Sequence, residues 1–197
     1  MKLFTLTLIA VFFTIGPLAS QPAYFKKLKA FRSGYILQHE VVKGKDKNYF
    51  RFFAVDSSCK VNGMFEKIFD TTGFTMKTSA GTTKHYYKYG RVKFLLHDTA
   101  MQLFIYQSKA LIYTSYKDYL FIPFTDITSG DESYAGGRYI DLLIGDIKNQ
   151  QLQIDFNKAY NPYCAYATGF YCPIPPKENA LTAAIKAGEK VFAKPMH

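Results

Sequence analysis

KHYYKYGRVKFLLHDTAMQLFIYQ, residues 84–107, holds three short runs of aromatic and aliphatic residues: Lys84 to Tyr89, Val92 to Leu96 and Met101 to Gln107. In the last run Met101, Leu103 and Ile105 alternate with Gln102, Phe104 and Tyr106, the period of two that a strand imposes on its side chains. Tyr89-Gly90 and Asp98-Thr99 separate the runs and read as turns. No helical periodicity intervenes, so the segments favour antiparallel neighbours over βαβ units. Upstream, Tyr49 to Val55 reads as a further strand, and Asn62-Gly63 and Ser79-Ala80-Gly81 as further turns. The expected fold is mainly β, a compact antiparallel, sandwich-like sheet.

Three features are expected around that sheet. Before it, Tyr24, Leu28, Phe31 and Tyr35 recur at four, three and four residues, which puts them on one face of an amphipathic helix with lysines on the other side. The stripe is expected to pack on the body of the domain; peripheral contact with a membrane surface is the alternative for such a basic helix. Between Ser108 and Gly137, the polar stretch Thr125 to Glu132 reads as a long loop; its three carboxylates lack the alternating ligand spacing of a calcium loop. Near the end, Leu181 to Ala187 fits a helix or a strand equally well.

Residues 1–20 read as a signal peptide. Lys2 precedes an almost wholly apolar run from Leu3 to Ile15, and Leu18-Ala19-Ser20 supplies small residues for cleavage after Ser20. The run is shorter than the roughly 20 residues that span a bilayer, so residues 21–197 are expected to form a single exported domain, in the periplasm or outside the cell, with no transmembrane segment left after cleavage. In an oxidising compartment Cys164 and Cys172 are the natural disulfide pair, stapling a Pro-rich C-terminal segment, with Cys59 left over as a small buried residue.

The net charge of +10 becomes +9 when Lys2 leaves with the leader. Only four of the 25 basic residues are arginine, which with export argues against nucleic acid as a partner. His39, His85, His97 and His197 are scattered, and no nucleophile elbow, zinc-protease or phosphate-loop motif is present. No metal or cofactor is expected.

The chemistry-bearing residues crowd the last third of the chain. Gln151 to Asn157 alternates, putting Leu152, Ile154 and Phe156 on one face and Gln153, Asp155 and Asn157 on the other. Lys158 to Cys164 follows, with Tyr160 and with Asn161 held extended by Pro162. Gly136-Gly137 stands beside Arg138 and close to Asp141, and Pro173, Pro175 and Pro176 stiffen the approach to Glu178. With Thr125-Asp126, Thr128-Ser129-Gly130, Gly137-Arg138-Tyr139, Asp155 to Ala165, Cys172 to Pro176, Glu178-Asn179 and Ala187 to Lys190, the chain resembles the domain-of-unknown-function family numbered 1684, most densely over residues 121–190. The resemblance implies a bacterial, often exported protein and no established activity.

Two functions are expected at this cluster. The first is a non-catalytic binding or structural module for a small ligand or envelope component, with Arg138, Asp141, Asp155, Asn157, Tyr160 and Asn161 as its polar site. The alternative is a cofactor-free hydrolase using two carboxylates among Asp141, Asp155, Glu178 and Glu189, with Asp155 and Glu178 in front and Arg138 positioning an anion. A cleft with converging carboxyls separates the two from a merely architectural role, in which backbone groups consume those side chains.

Overall fold

A computed structural model describes residues 21–194. One helix, α1 (Gln21–Gln38), precedes seven strands: β1 (Lys60–Lys67), β2 (Phe74–Lys77), β3 (Thr83–Leu96), β4 (Thr99–Ser108), β5 (Tyr119–Phe124), β6 (Arg138–Leu143) and β7 (Gln151–Asp155). They form one curled antiparallel sheet in the order β6-β5-β4-β3-β1-β7, with β2 paired to the first half of β3. The mainly β, antiparallel fold is as the sequence predicts.

The stretch 84–107 becomes the longest hairpin, Tyr86 pairing with Ser108 at one end and Leu96 with Thr99 at the other. His97 and Asp98 turn it with positive φ at both positions, the geometry that matches strand twist in a tight hairpin. Tyr89-Gly90 is no turn. It is a bulge within β3, where a Cβ on Gly90 would stand 2.3 Å from the Phe65 ring. Asn62-Gly63 likewise lies inside β1, because a Cβ there would meet Val92 Cγ2 at 2.5 Å and only glycine lets β1 and β3 approach.

Tyr49 to Val55 is not a strand. Phe50 and Phe53 are buried, but the segment joins the C-terminal stretch through single bonds, Phe53 N–H to the Gly188 carbonyl and Lys190 N–H to the Arg51 carbonyl. Leu181 to Ala187 is neither helix nor strand; Leu181, Ile185 and Ala187 bury as an extended plug over the main core. β5 and β6 emerge from a region whose aromatic and polar residues mask their alternation.

The sheet has two different faces. Val92, Phe94, Leu103, Ile105, Leu120, Ile122, Ile140 and Ile154 fill the main core on one side. Met76, Tyr86, Tyr106, Phe121 and Tyr139 form a second, aromatic cluster on the other. Burying five such side chains contributes on the order of 10 kcal/mol before entropy is counted. Asn179 stitches β4 to β5, accepting from Phe104 N–H at 2.8 Å and donating to the Phe104 and Pro123 carbonyls at 2.9 and 2.8 Å.

α1 docks through Leu28, which is buried, through Tyr24, whose hydroxyl donates to Asp155 Oδ1 at 2.9 Å, and through Tyr35, whose hydroxyl donates to Glu189 at 3.0 Å. Phe31 departs from the expected stripe: it is 40% exposed, with Lys158 Nζ 5.4 Å above its ring. No helix among the described residues is long and apolar enough to cross a membrane. The expected leader, residues 1–20, and His197 lie outside the described residues.

Candidate functional site

β6 is an edge strand. Tyr139 exchanges both backbone hydrogen bonds with Tyr160, at 2.9 and 3.0 Å, and beyond that bridge the edge of β6 away from β5 meets no other strand among the described residues. A cleft of about 1720 Å³ opens beside it, with α1 on one flank, the aromatic sheet face on another and the segment Phe170–Pro173 on a third.

Asp141 sits in this cleft, opposite Phe121 of β5. Its Oδ1 accepts from the Tyr160 hydroxyl at 2.6 Å and the Tyr119 hydroxyl at 2.7 Å. Water reaches the residue through the cleft mouth. Burial of the carboxyl raises its pKa above the usual range, and the two tyrosine hydroxyls pull it back down without cancelling the shift. Burial and the neighbouring carboxylate raise the tyrosines' own pKa values, so both remain donors.

The aromatic walls form a continuous chain of rings. Tyr86 stands 5.1 Å from Phe121, Phe121 5.7 Å from Tyr139, Tyr139 5.9 Å from Tyr160 and Tyr160 6.0 Å from Tyr35. The Tyr139 hydroxyl donates to the Pro173 carbonyl, which fixes the Pro-rich wall. Cys164 and Cys172 form a disulfide across the same wall, with Cα atoms 6.3 Å apart, and the Ser79 hydroxyl donates to the Phe170 carbonyl at 3.1 Å.

The other sequence-predicted residues divide sharply. Asp155 lines the cleft, but its Oδ1 also accepts from Asn157 N–H at 3.1 Å, capping the helical turn after β7. Asn157 does not share the outer face of β7: that turn rotates it inward, where it is fully buried and bonds both backbone groups of Asp56. Asn161 is buried too, donating from its backbone to Glu189 and from its side chain to the Lys190 carbonyl. Glu178 lies outside this cleft, in a separate depression, where it accepts from Tyr106 at 2.5 Å and pairs with Lys88 at 2.9 Å.

Arg138 is sealed from solvent. It pairs with Asp126 at 3.0 Å, both side chains fully buried, and donates to the carbonyls of Ile185, Ala187 and Glu189. The guanidinium therefore holds the polar loop and the C-terminal plug together and presents nothing to the cleft. Glu189 is its neighbour in the interior; burial lifts this carboxyl to about 7 despite donors from Tyr35, Tyr166 and Asn161.

Asp56, Cys59 and His97 also converge, each offering a ligand atom within 4.8 Å of the others. Sequence spacing conceals this group because the hairpin turn delivers His97. Burial pushes the Cys59 thiol up to about 12, so it stays protonated and donates to Asp56 Oδ2, while Ser58 takes the other oxygen. His97 Nε2 bonds the Ser58 hydroxyl at 3.0 Å, so each of the three is engaged within the protein as it stands.

Tyr86, Tyr119 and Phe121 are cleft residues that the sequence does not single out, and Tyr139 enters there only as part of the Gly137-Arg138-Tyr139 segment. Their signal is there in β5 and β6, where Tyr119 and Phe121 stand two residues apart and so do Tyr139 and Asp141.

The family model described as "Protein of unknown function (DUF1684)" matches residues 48–190, which include every strand and the cleft carboxylate. The chain belongs to that family. The DUF1684 chain is also similar to a solved structure, the solution NMR structure of the uncharacterized protein from gene locus rrnAC0354 of Haloarcula marismortui, with a TM-score of 0.64 and 26% identity over 87% of this chain and 96% of that one. No curated protein matches.

Proposed function

We propose that the protein is an exported, non-catalytic binding module that holds a small ligand in the cleft around Asp141. The observation that carries this reading is the Asp141 carboxyl, oriented by Tyr119 and Tyr160 within an aromatic-walled cleft of ligand-binding size. Export is supported by the Cys164–Cys172 disulfide, which suits an oxidising compartment. The rival, a carboxylate-dependent hydrolase, keeps Asp141 and Asp155 on the cleft lining but loses the rest of its expected machinery. Arg138 is committed to backbone carbonyls, and Glu178 lies outside the cleft.

The test is occupancy of the cleft by an apolar fluorophore, anilinonaphthalene sulfonate, in the wild type and in Ala110→Trp, which places an indole on the cleft lining from an exposed loop position. One-to-one binding that the substitution abolishes, with thermal stability unchanged, supports the reading. Equal binding by both folded proteins refutes it.

A further inference from the structure

Asp141 is a carboxylate without a cation. Its Oδ1 accepts two tyrosine hydroxyls, its Oδ2 has no partner among the described residues, and no Lys, Arg or His of those residues lies within ion-pair distance. Asp126, a fully buried carboxylate, has the guanidinium of Arg138 at 3.0 Å. Asp141 is open to the cleft on the Oδ2 side, so that oxygen is free to accept from a ligand.

The surroundings favour a cation as that partner. Phe121 is its cross-strand neighbour, Tyr119 and Tyr160 grip it, and Tyr163 also lines the cleft. Ring faces attract ammonium groups, and attract them more when water is displaced. Burial raises the Asp141 pKa, which an arriving ammonium would reverse. The rest of the lining is mixed but lysine-rich: Lys27, Lys60, Lys84, Lys109, Lys148 and Lys158 outnumber Glu40, Asp146 and Asp155, and none of the lysines pairs with Asp141. The surplus of lysines favours a ligand that carries an anion of its own over a bare cation.

We infer that the cleft takes an amphiphilic zwitterion, its ammonium on Asp141 Oδ2 among the tyrosine rings and its anionic group answered by the cleft lysines. This rests on the cleft being the ligand site. The volume of about 1720 Å³ exceeds what a head group needs and leaves room for an apolar body between α1 and the aromatic face.

The test is calorimetric titration of the mature protein with ω-aminododecanoate, dodecylammonium, dodecanoate and dodecanol, each kept below its micelle threshold, and again with Asp141→Asn. The expected order puts ω-aminododecanoate first, at least tenfold tighter than dodecanol, with dodecylammonium between them. Asp141→Asn, which keeps an acceptor for both tyrosine hydroxyls and stays folded, loses that advantage and leaves dodecanol binding unchanged. Dodecanoate matching ω-aminododecanoate, or an ammonium advantage that survives in Asp141→Asn, overturns the inference while leaving the cleft as a binding site. If dodecylammonium binds tightest, the zwitterion is overturned. Failure of all four probes, dodecanol included, overturns the inference together with the reading of the cleft on which it rests.

Discussion

Tyr160 holds Asp141 with its hydroxyl, at 2.6 Å, and holds Tyr139 with its backbone, so the residue that orients the cleft carboxyl also closes the edge of β6. Only the hydroxyl is lost in Tyr160→Phe; the edge bridge stays. The variant is expected to lose about 1–2 kcal/mol, the worth of one hydrogen bond to a charged group, and to titrate Asp141 at a higher pH, because a donor that favours the carboxylate has gone. Carbon NMR of the carboxyl reads the second effect; an unmoved titration would show that Tyr160 does not orient the group.

Arg138 is expected to be architectural. Arg138→Met leaves Asp126 buried without its partner and frees three carbonyls, and a loss of about 3–5 kcal/mol in urea unfolding is expected. Combining it with Asp126→Asn should restore part of that loss. Additive losses in the double variant would mean that the pair is not coupled.

The pH dependence follows from Glu189. Its carboxyl titrates at about 7 when folded and near the ordinary 4.5 when unfolded, so between those values the folded protein holds a proton that the unfolded chain releases. That stabilisation is full below about 4.5 and is lost as pH rises through about 7, a change of about 3 kcal/mol. His39, lowered to about 4 by burial, acts in the opposite direction, so the informative quantity is the stability of wild type minus that of Glu189→Gln. This difference should fall between pH 5 and pH 8; a flat difference would mean that Glu189 titrates normally.

The disulfide closes a short loop that carries one wall of the cleft. Cys164→Ser with Cys172→Ser is expected to cost roughly 2–3 kcal/mol and to make stability insensitive to reductant. A double variant as stable as the oxidised wild type would remove the staple from the account.

Much of this fold is legible in the chain, and the failures are physical. The 101–106 alternation yields β4 because one face of that strand packs in the core. β1 is hidden because Gly63, a turn residue by composition, serves there for close approach to β3. Among the site candidates, Asp141 and Tyr160 meet as the sequence cluster suggests, while Arg138, Asn157 and Asn161 turn inward to satisfy backbone groups. Whether a polar side chain faces a cleft or a carbonyl depends on long-range packing, and a local pattern does not encode it. Tyr119 shows the converse: nothing next to it in sequence marks it as a partner of Asp141, 22 residues away.

The most direct test of the central claim is an NMR titration of tyrosine-ring-labelled protein with dodecanol. The Tyr119, Tyr139 and Tyr160 ring signals are expected to move together and saturate at one equivalent. Shifts spread over exposed tyrosines such as Tyr113, 94% exposed and outside the cleft, with the cleft rings unmoved, would contradict it.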